Sequence, residues 1–289
     1  MKRVLITGAT GNVGIQVIKS LKKLDQDLDI FAGVRDVESD GKKLREFGIK
    51  MVKFDFTDLS TFTSAFDHLD ILFLLRPPDI SNVDKYFKPL IEIASAYQIK
   101  HIVFLSVQGV KKSIIIPHHK IERLIVQSKI PFTFLRPAYF MQNFSTVLKT
   151  DLHDKRLIFV PAGSAKFTLV DVRDIGLVAA VIIERIEAHI NKSYDLTSQE
   201  RFTFKEIANK MSSILKLDIL YKSPSILKFY LKMRNDKLSS SFILVMIMLH
   251  YFPRFQKPPE ISDCIQSLTG KKPISLEQYI IDYRNILAF

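Results

Sequence analysis

Apolar residues follow two alternating periods along the first 136 positions. Arg3-Val4-Leu5-Ile6-Thr7 is a short apolar run, and Val13, Val17, Ile18, Leu21 and Leu24 then recur at helical spacing. The same alternation continues with strand-like segments at Asp29–Val34, Lys50–Phe54, Asp70–Leu75, His101–Leu105 and Phe132–Arg136. Between them lie helical segments around Leu44–Phe47, Leu59–Phe66, Tyr86–Tyr97 and His118–Ser128. Asp70–Leu75 is apolar almost throughout, as a strand covered on both faces would be. Strands alternating with helices predict a parallel sheet wound on both sides by helices, with right-handed crossovers.

Beyond residue 150 the alternation changes. Short strands are expected near Thr168–Val170 and Ser193–Thr197, either of which can return to the main sheet. A helix follows the first, over Asp171–Ile186. Thr203-Phe204-Lys205-Glu206 has the form of a capping box opening a helix to about Leu215. Further helices are expected near Ile226–Met233, Ser240–Tyr251 and Ile261–Leu268, with a last one capped by Ser275. The expected organisation is therefore α/β: a doubly wound domain over 1–150 and a smaller, mainly helical lobe over 151–289. Phe242–Leu249 is apolar on all sides, which predicts a core helix, or a hydrophobic cover over an aromatic ligand.

Composition narrows the class. Of 289 residues 47% are hydrophobic and 25% charged, so the chain is neither disordered nor fibrous. The apolar run 242–249 is far shorter than the roughly 20 residues a membrane-spanning helix needs. No signal-peptide pattern opens the chain, and a single cysteine, Cys264, precludes a disulfide framework. A cytoplasmic protein is the expectation. The net charge is +12, but the basic residues are dispersed, Lys271-Lys272 being as dense as they become, and no nucleic-acid-binding module is recognisable. Dispersed, solvated lysines account for that charge better than a nucleic-acid groove does, and an anionic small-molecule partner is also compatible with it.

The chemistry begins directly after the first strand. Thr7-Gly8-Ala9-Thr10-Gly11-Asn12-Val13-Gly14 places glycines at 8, 11 and 14 in the turn that opens the first helix. Close backbone approach and free N–H groups at a helix N-terminus suit the pyrophosphate of a dinucleotide, and the third glycine lets helix pack on strand. About 20 residues on, the second strand ends at Gly33-Val34-Arg35-Asp36. An arginine there pairs with the 2′-phosphate of NADP(H), whereas an acid accepts the 2′-hydroxyl of NAD(H). Arg35 comes first and favours NADP(H); Asp36 leaves NAD(H) open.

The glycine loop resembles that of the extended and atypical short-chain dehydrogenase/reductases. Further segments resemble the NmrA-like branch, which includes quinone and triphenylmethane reductases and nucleotide-sensing regulators. They are Gly33-Val34-Arg35, Phe54-Asp55-Phe56, Leu74-Leu75 with Pro77-Pro78, Phe104-Leu105-Ser106 with Gly109, Leu135-Arg136-Pro137 with Phe140-Met141 and Asn143-Phe144, Val170–Ile175, and Leu268–Pro273. The resemblance implies a cofactor held by Thr7, Gly8, Thr10, Gly11, Asn12, Val13, Gly14 and Arg35. Asp55 and Phe56 would border the adenine, Leu75, Arg76 and Ser106 would follow the cofactor, and Pro137 would approach the nicotinamide. Tyr139, Phe140 and Asn143 would face an aromatic or quinone-like substrate.

One position departs from the wider superfamily. Its usual Tyr-x-x-x-Lys helix has Lys120 at the lysine, where it would hold the ribose, but Ile116 at the tyrosine, and isoleucine transfers no proton. This argues against sugar epimerisation and alcohol–ketone chemistry and fits quinone reduction, whose protons can come from solvent. His118 and His119, beside Lys120, could supply a proton at neutral pH, and Lys120 and His119 are the candidate catalytic residues. No metal is expected, since the histidines lack ligand spacing. Hydride transfer from NAD(P)H to a quinone-like electrophile is the leading expectation. A non-catalytic dinucleotide sensor with a protein partner is the alternative.

Overall fold

The computed structural model describes residues 1–24, 27–114 and 116–288. In chain order its principal elements are β1 (Lys2–Ile6), α1 (Asn12–Lys23), β2 (Leu28–Val34), β3 (Lys50–Lys53), α2 (Ser60–Phe66), β4 (Ile71–Leu75), α3 (Val83–Ala96), β5 (His101–Leu105), α4 (Pro117–Ser128) and β6 (Phe132–Pro137). There follow β7 (Tyr139–Phe140), α5 (Lys149–Lys155), β8 (Leu157–Phe159), β9 (Phe167–Val170), α6 (Val172–Glu184), β10 (Lys192–Leu196) and β11 (Arg201–Phe202). The chain ends with α7 (Phe204–Leu215), β12 (Leu220–Lys222), α8 (Ile226–Asn235), α9 (Ser240–Tyr251), α10 (Cys264–Thr269), α11 (Leu276–Asp282) and α12 (Arg284–Leu287).

Seven strands form one sheet in the order β3-β2-β1-β4-β5-β6-β10, with every pairing parallel. The expected doubly wound sheet is thus present. The order reverses between β1 and β4, where Ile6 lies opposite Phe73. All five residues of β5 are buried. α2, α3 and α4 supply the apolar layer under one face of the sheet, in which Phe62, Phe66 and Phe87 are fully buried. Each such ring contributes about 2–3 kcal/mol by leaving water. Phe54 stacks on Phe62 at 5.0 Å and meets Phe56 edge-on at 5.1 Å.

The chain forms two compact units, and they interleave in sequence. The first comprises Met1–Pro137, Val172–Leu196 and Cys264–Lys271; the second comprises Ala138–Asp171, Thr197–Asp263 and Lys272–Phe289. A single boundary at 150 does not describe this arrangement. β10 extends the main sheet beside β6, and α6 packs so closely on α1 that a Cβ at Gly176 would stand 2.5 Å from the Gln16 carbonyl. Of the two late strands expected to return to the main sheet, β10 does so. β9 instead pairs with β7 and β11 in a three-stranded sheet of the second unit. That unit also holds a parallel β8–β12 pair, so it is less purely helical than expected. Its core gathers Phe144, Phe167, Phe204, Phe229 and Tyr279.

The capping box is present: Thr203 Oγ1 accepts from the Glu206 amide at 3.2 Å, and Glu206 Oε2 accepts from the Thr203 amide at 2.7 Å. The expectation of a wholly buried helix at 242–249 is not met. Ile243, Met246, Ile247 and His250 face the core, but Leu244, Val245, Met248 and Leu249 are exposed. An all-apolar helix carries no polar stripe to mark its outer side, so its sequence does not reveal which side faces water.

Candidate functional site

At the reversal of strand order the loop Thr7–Gly14 leaves β1 and enters α1. Thr7 is fully buried and ties β1 to β4: its hydroxyl donates to the Phe73 carbonyl at 3.1 Å and accepts from the Leu75 amide at 2.8 Å. Gly8 turns the chain with φ +61°, and a Cβ on it would lie 3.0 Å from the Leu75 side chain. A Cβ on Gly14 would overlap the Gly8 carbonyl oxygen and stand 2.7 Å from the Ala9 Cα. The third glycine is therefore required by the packing of helix against loop.

Gly11 occupies the N-cap of α1, where no side chain caps the helix and no acidic residue sits in the first turn. The amides of Asn12, Val13 and Gly14 consequently have no intrahelical acceptor, and the end of the helix carries partial positive charge. Thr10 is half-buried, and Gly11 and Asn12 are exposed, while Val13 and Gly14 are buried. A helix end of this kind suits an anion.

Residues predicted for the cofactor converge on the same carboxyl-terminal edge of the sheet. Leu75 ends β4 beside Gly8. Arg76 follows; its Nη1 donates to the carbonyls of Pro77 at 2.9 Å and Ile80 at 2.7 Å, while its buried Nε has no partner. Burial pulls the Arg76 guanidinium below its ordinary pKa, partly offset by Asp79. Ser106, directly after β5, donates its amide to the Leu135 carbonyl at 2.7 Å, and its buried hydroxyl has no partner. Two unpartnered buried polar atoms at the ends of adjacent strands are what a bound polar ligand would satisfy.

At the end of β2, Arg35 is exposed and makes no hydrogen bond or ion pair with the described residues. Asp36 is committed locally. Its Oδ1 accepts from the amides of Ser39 at 2.9 Å and Glu38 at 2.8 Å, and these bonds hold its carboxyl below the usual range. Asp55 is likewise held in a turn, accepting from the Thr57 amide and hydroxyl, both at 2.8 Å. Phe56 is buried and packs against Phe54 and Phe87.

The start of α4 carries the candidate proton sources. Ile116 is its N-cap. His119 Nδ1 lies 3.2 Å from the Val110 carbonyl and must carry the proton there, so Nε2 of the neutral ring is an acceptor. Lys120 is exposed, without an ion pair among the described residues. His118, the other histidine that could supply a proton, has its ring 6.1 Å from that of Phe104, and burial with the nearby Arg76 charge pulls its pKa down to about 3, which counts against that role. It is a neutral imidazole at working pH. α4 is anchored by a buried pair, since Arg136 donates from Nε to Glu122 Oε1 at 3.0 Å and from Nη2 to Oε2 at 2.7 Å. Pro137 closes β6, its carbonyl accepting from the Gln108 amide at 2.9 Å.

The three predicted substrate residues belong to the second unit. Tyr139 lies in its core, with its hydroxyl 3.1 Å from His250 Nε2. His250 Nδ1 is 2.7 Å from the Met246 carbonyl, which fixes Nε2 as the acceptor of the Tyr139 proton. Burial raises the Tyr139 phenol and pulls His250 down to about 4. Phe140 and Asn143 are half-buried nearby in sequence. Among the described residues no group of three or more His, Cys, Asp or Glu is arranged to hold a metal.

A parallel sheet with a glycine-lined helix N-terminus at its switch point defines the class of Rossmann-type dinucleotide-binding proteins. The NmrA-like family pattern matches residues 1–271, and the chain belongs to that family. It is 27% identical to prestalk A differentiation protein A of Dictyostelium discoideum over 281 residues, covering 96% of this chain and 90% of that one. It is 25% identical to quinone oxidoreductase 2 of Escherichia coli over 225 residues, covering 77% of this chain and 78% of that one. Among solved structures, triphenylmethane reductase of Citrobacter sp. complexed with NADP(H) superposes with a TM-score of 0.84 at 25% identity, over 98% of this chain and 99% of that one.

Proposed function

We propose that this chain is an NAD(P)H-dependent oxidoreductase that binds NADP(H) in preference to NAD(H) and delivers hydride to a quinone-like or other conjugated aromatic electrophile. The observation that carries the reading is the uncapped N-terminus of α1, lined by Gly8, Gly11 and Gly14 where the strand order reverses. Named relatives acting on quinones, azo compounds and triphenylmethane dyes support the substrate class.

In this reading Thr10 and the amides of Asn12 and Val13 meet the pyrophosphate. Arg35 meets the 2′-phosphate, because its guanidinium is uncommitted while Asp36 caps its own turn. Asp55 and Phe56 border the adenine, and Leu75, Arg76 and Ser106 follow the cofactor toward the nicotinamide, with Pro137. The bound cofactor would supply the hydride equivalent. Lys120 holds the ribose. Tyr139, Phe140 and Asn143 are assigned to the substrate side, Tyr139 contributing its ring, since its hydroxyl is committed to His250. No tyrosine stands at position 116, and His119 delivers a proton only from its charged ring, so solvent completes the protonation of the product.

Titration of NADPH and NADH by their own fluorescence tests the binding, helped by a chain without tryptophan. Tighter NADPH binding and its consumption on addition of quinones is the expected result. Arg35→Ala is expected to weaken NADPH about tenfold or more and NADH little. Equal losses would remove Arg35 as the reader of the 2′-phosphate. Binding without consumption across quinones, azo compounds and dyes would replace the reductase by a dinucleotide sensor.

A further inference from the structure

α9 turns an unusual face to water. After Ser241 its outward positions are Leu244, Val245, Met248 and Leu249, continued by Phe252, and these form one apolar stripe at helical spacing. Leu244 is 55% exposed, and Phe255, just beyond the helix, 72%. α8, which packs on α9, adds Leu227 and Leu231 one turn apart, both exposed. The inner faces of the two helices are separately accounted for, because Phe229, Met233, Ile243, Met246 and Ile247 lie in the core of the second unit. Isolated exposed apolar side chains need no explanation, but five on one face of a helix and its extension, with two more on the helix packed beside it, mark an interaction surface.

Charge indicates what covers it. Between residues 222 and 257 there are seven basic residues (Lys222, Lys228, Lys232, Arg234, Lys237, Arg254 and Lys257) and one acidic residue, Asp236. Lys228 and Lys257 are exposed and unpaired among the described residues. A second copy would bring this basic surround against itself, which disfavours pairing. An exposed apolar face in a segment this rich in basic residues, with phenylalanines at one end, matches an anionic lipid surface. α9, 12 residues and about 18 Å long, would lie along the boundary of headgroups and acyl chains; no described helix is long and apolar enough to cross a bilayer.

We infer that the α8–α9 ridge is a peripheral docking surface for anionic phospholipid bilayers. The inference is independent of the dinucleotide reading. It is tested by co-sedimentation of the full chain with vesicles of phosphatidylcholine alone and of phosphatidylcholine with phosphatidylserine. Binding to the phosphatidylserine vesicles is expected, falling at high salt. The triple variant L244S/M248S/F252S is expected to reduce it about tenfold or more, and K228E/K257E to reduce it about tenfold. Both variants change exposed side chains, and retained circular dichroism confirms their fold. The inference is overturned if the parent chain does not sediment with phosphatidylserine vesicles, or if neither variant lowers its binding. It is equally overturned if light scattering finds a dimer that the serine variant converts to monomer.

Discussion

Replacing each loop glycine by alanine yields a graded series whose order follows from the local geometry. At Gly14 the new methyl would overlap the Gly8 carbonyl oxygen and press on the Ala9 backbone, and backbone cannot rotate aside as a side chain can. Either α1 moves off β1 or the loop opens, at about 2–3 kcal/mol. At Gly8 the φ of +61° imposes about 1–2 kcal/mol on an L-residue. The Leu75 side chain, 3.0 Å away, is flexible and adds little. At Gly11, φ −84° and ψ 169° suit alanine, and the nearest atom is 3.2 Å away. Less entropy lost from the unfolded chain offsets part of every cost, by about 0.4–1 kcal/mol. Urea unfolding of the ligand-free protein, followed by far-ultraviolet circular dichroism, should therefore rank stability as wild type ≈ Gly11→Ala > Gly8→Ala > Gly14→Ala. NADPH binding should separate Gly11→Ala from wild type, because its methyl stands at the exposed helix end where phosphate would approach. A Gly14→Ala protein within about 0.5 kcal/mol of wild type would refute the packing argument. Undiminished NADPH binding by Gly11→Ala would refute the cradle.

Three other outcomes are expected. Thr7→Val removes the acceptor of the Leu75 amide at the β1–β4 junction and should cost about 1–3 kcal/mol in urea unfolding. Glu122→Ala leaves Arg136 buried without its partner and should cost about 3–5 kcal/mol, whereas Glu122→Leu with Arg136→Met should cost far less. Stability should fall as pH drops from about 6.5 toward 4, because the unfolded histidines protonate in that window while His101 and His250, pulled down to about 4 by burial, do not. Urea midpoints at pH 7, 5.5 and 4.5 should show this slope, and His250→Gln should flatten it.

The first unit is legible because its two signals agree. β4 and β5 read as near-continuous apolar runs, and α1 buries Val13, Val17, Ile18 and Leu21 at the spacing its sequence shows. The second unit is harder to read. β7 and β11 have two residues each and β8 and β12 three, too short to establish a period of two. Their pairing is set by partners distant in sequence, as in β12 with β8, where Leu220 lies opposite Leu157. The route of the chain between the units is invisible for the same reason. Beyond the strand pattern near 193–197, nothing local in residues 172–196 marks them for the first unit; the close fit of Gly176 against Gln16 does.

Legibility of the site divides differently, between backbone and side chain. The cradle is made by absences, since three glycines and an uncapped helix start are visible as letters. Side-chain roles depend on prior commitments that letters do not show. Thr7, Asp36 and Tyr139 each have suitable chemistry, yet the first joins two strands, the second caps its own turn and the third donates to His250. Arg35 and Asp36 show the consequence most clearly. As neighbours at a strand end they point to opposite cofactors. With Asp36 accepting from two amides of its own loop, turning it toward a ribose would break two charge-assisted hydrogen bonds. Arg35 has no such bond to break. The asymmetry is what supports the proposed 2′-phosphate contact, and it lies in the turn that follows the strand, outside the two residues that a motif reader compares.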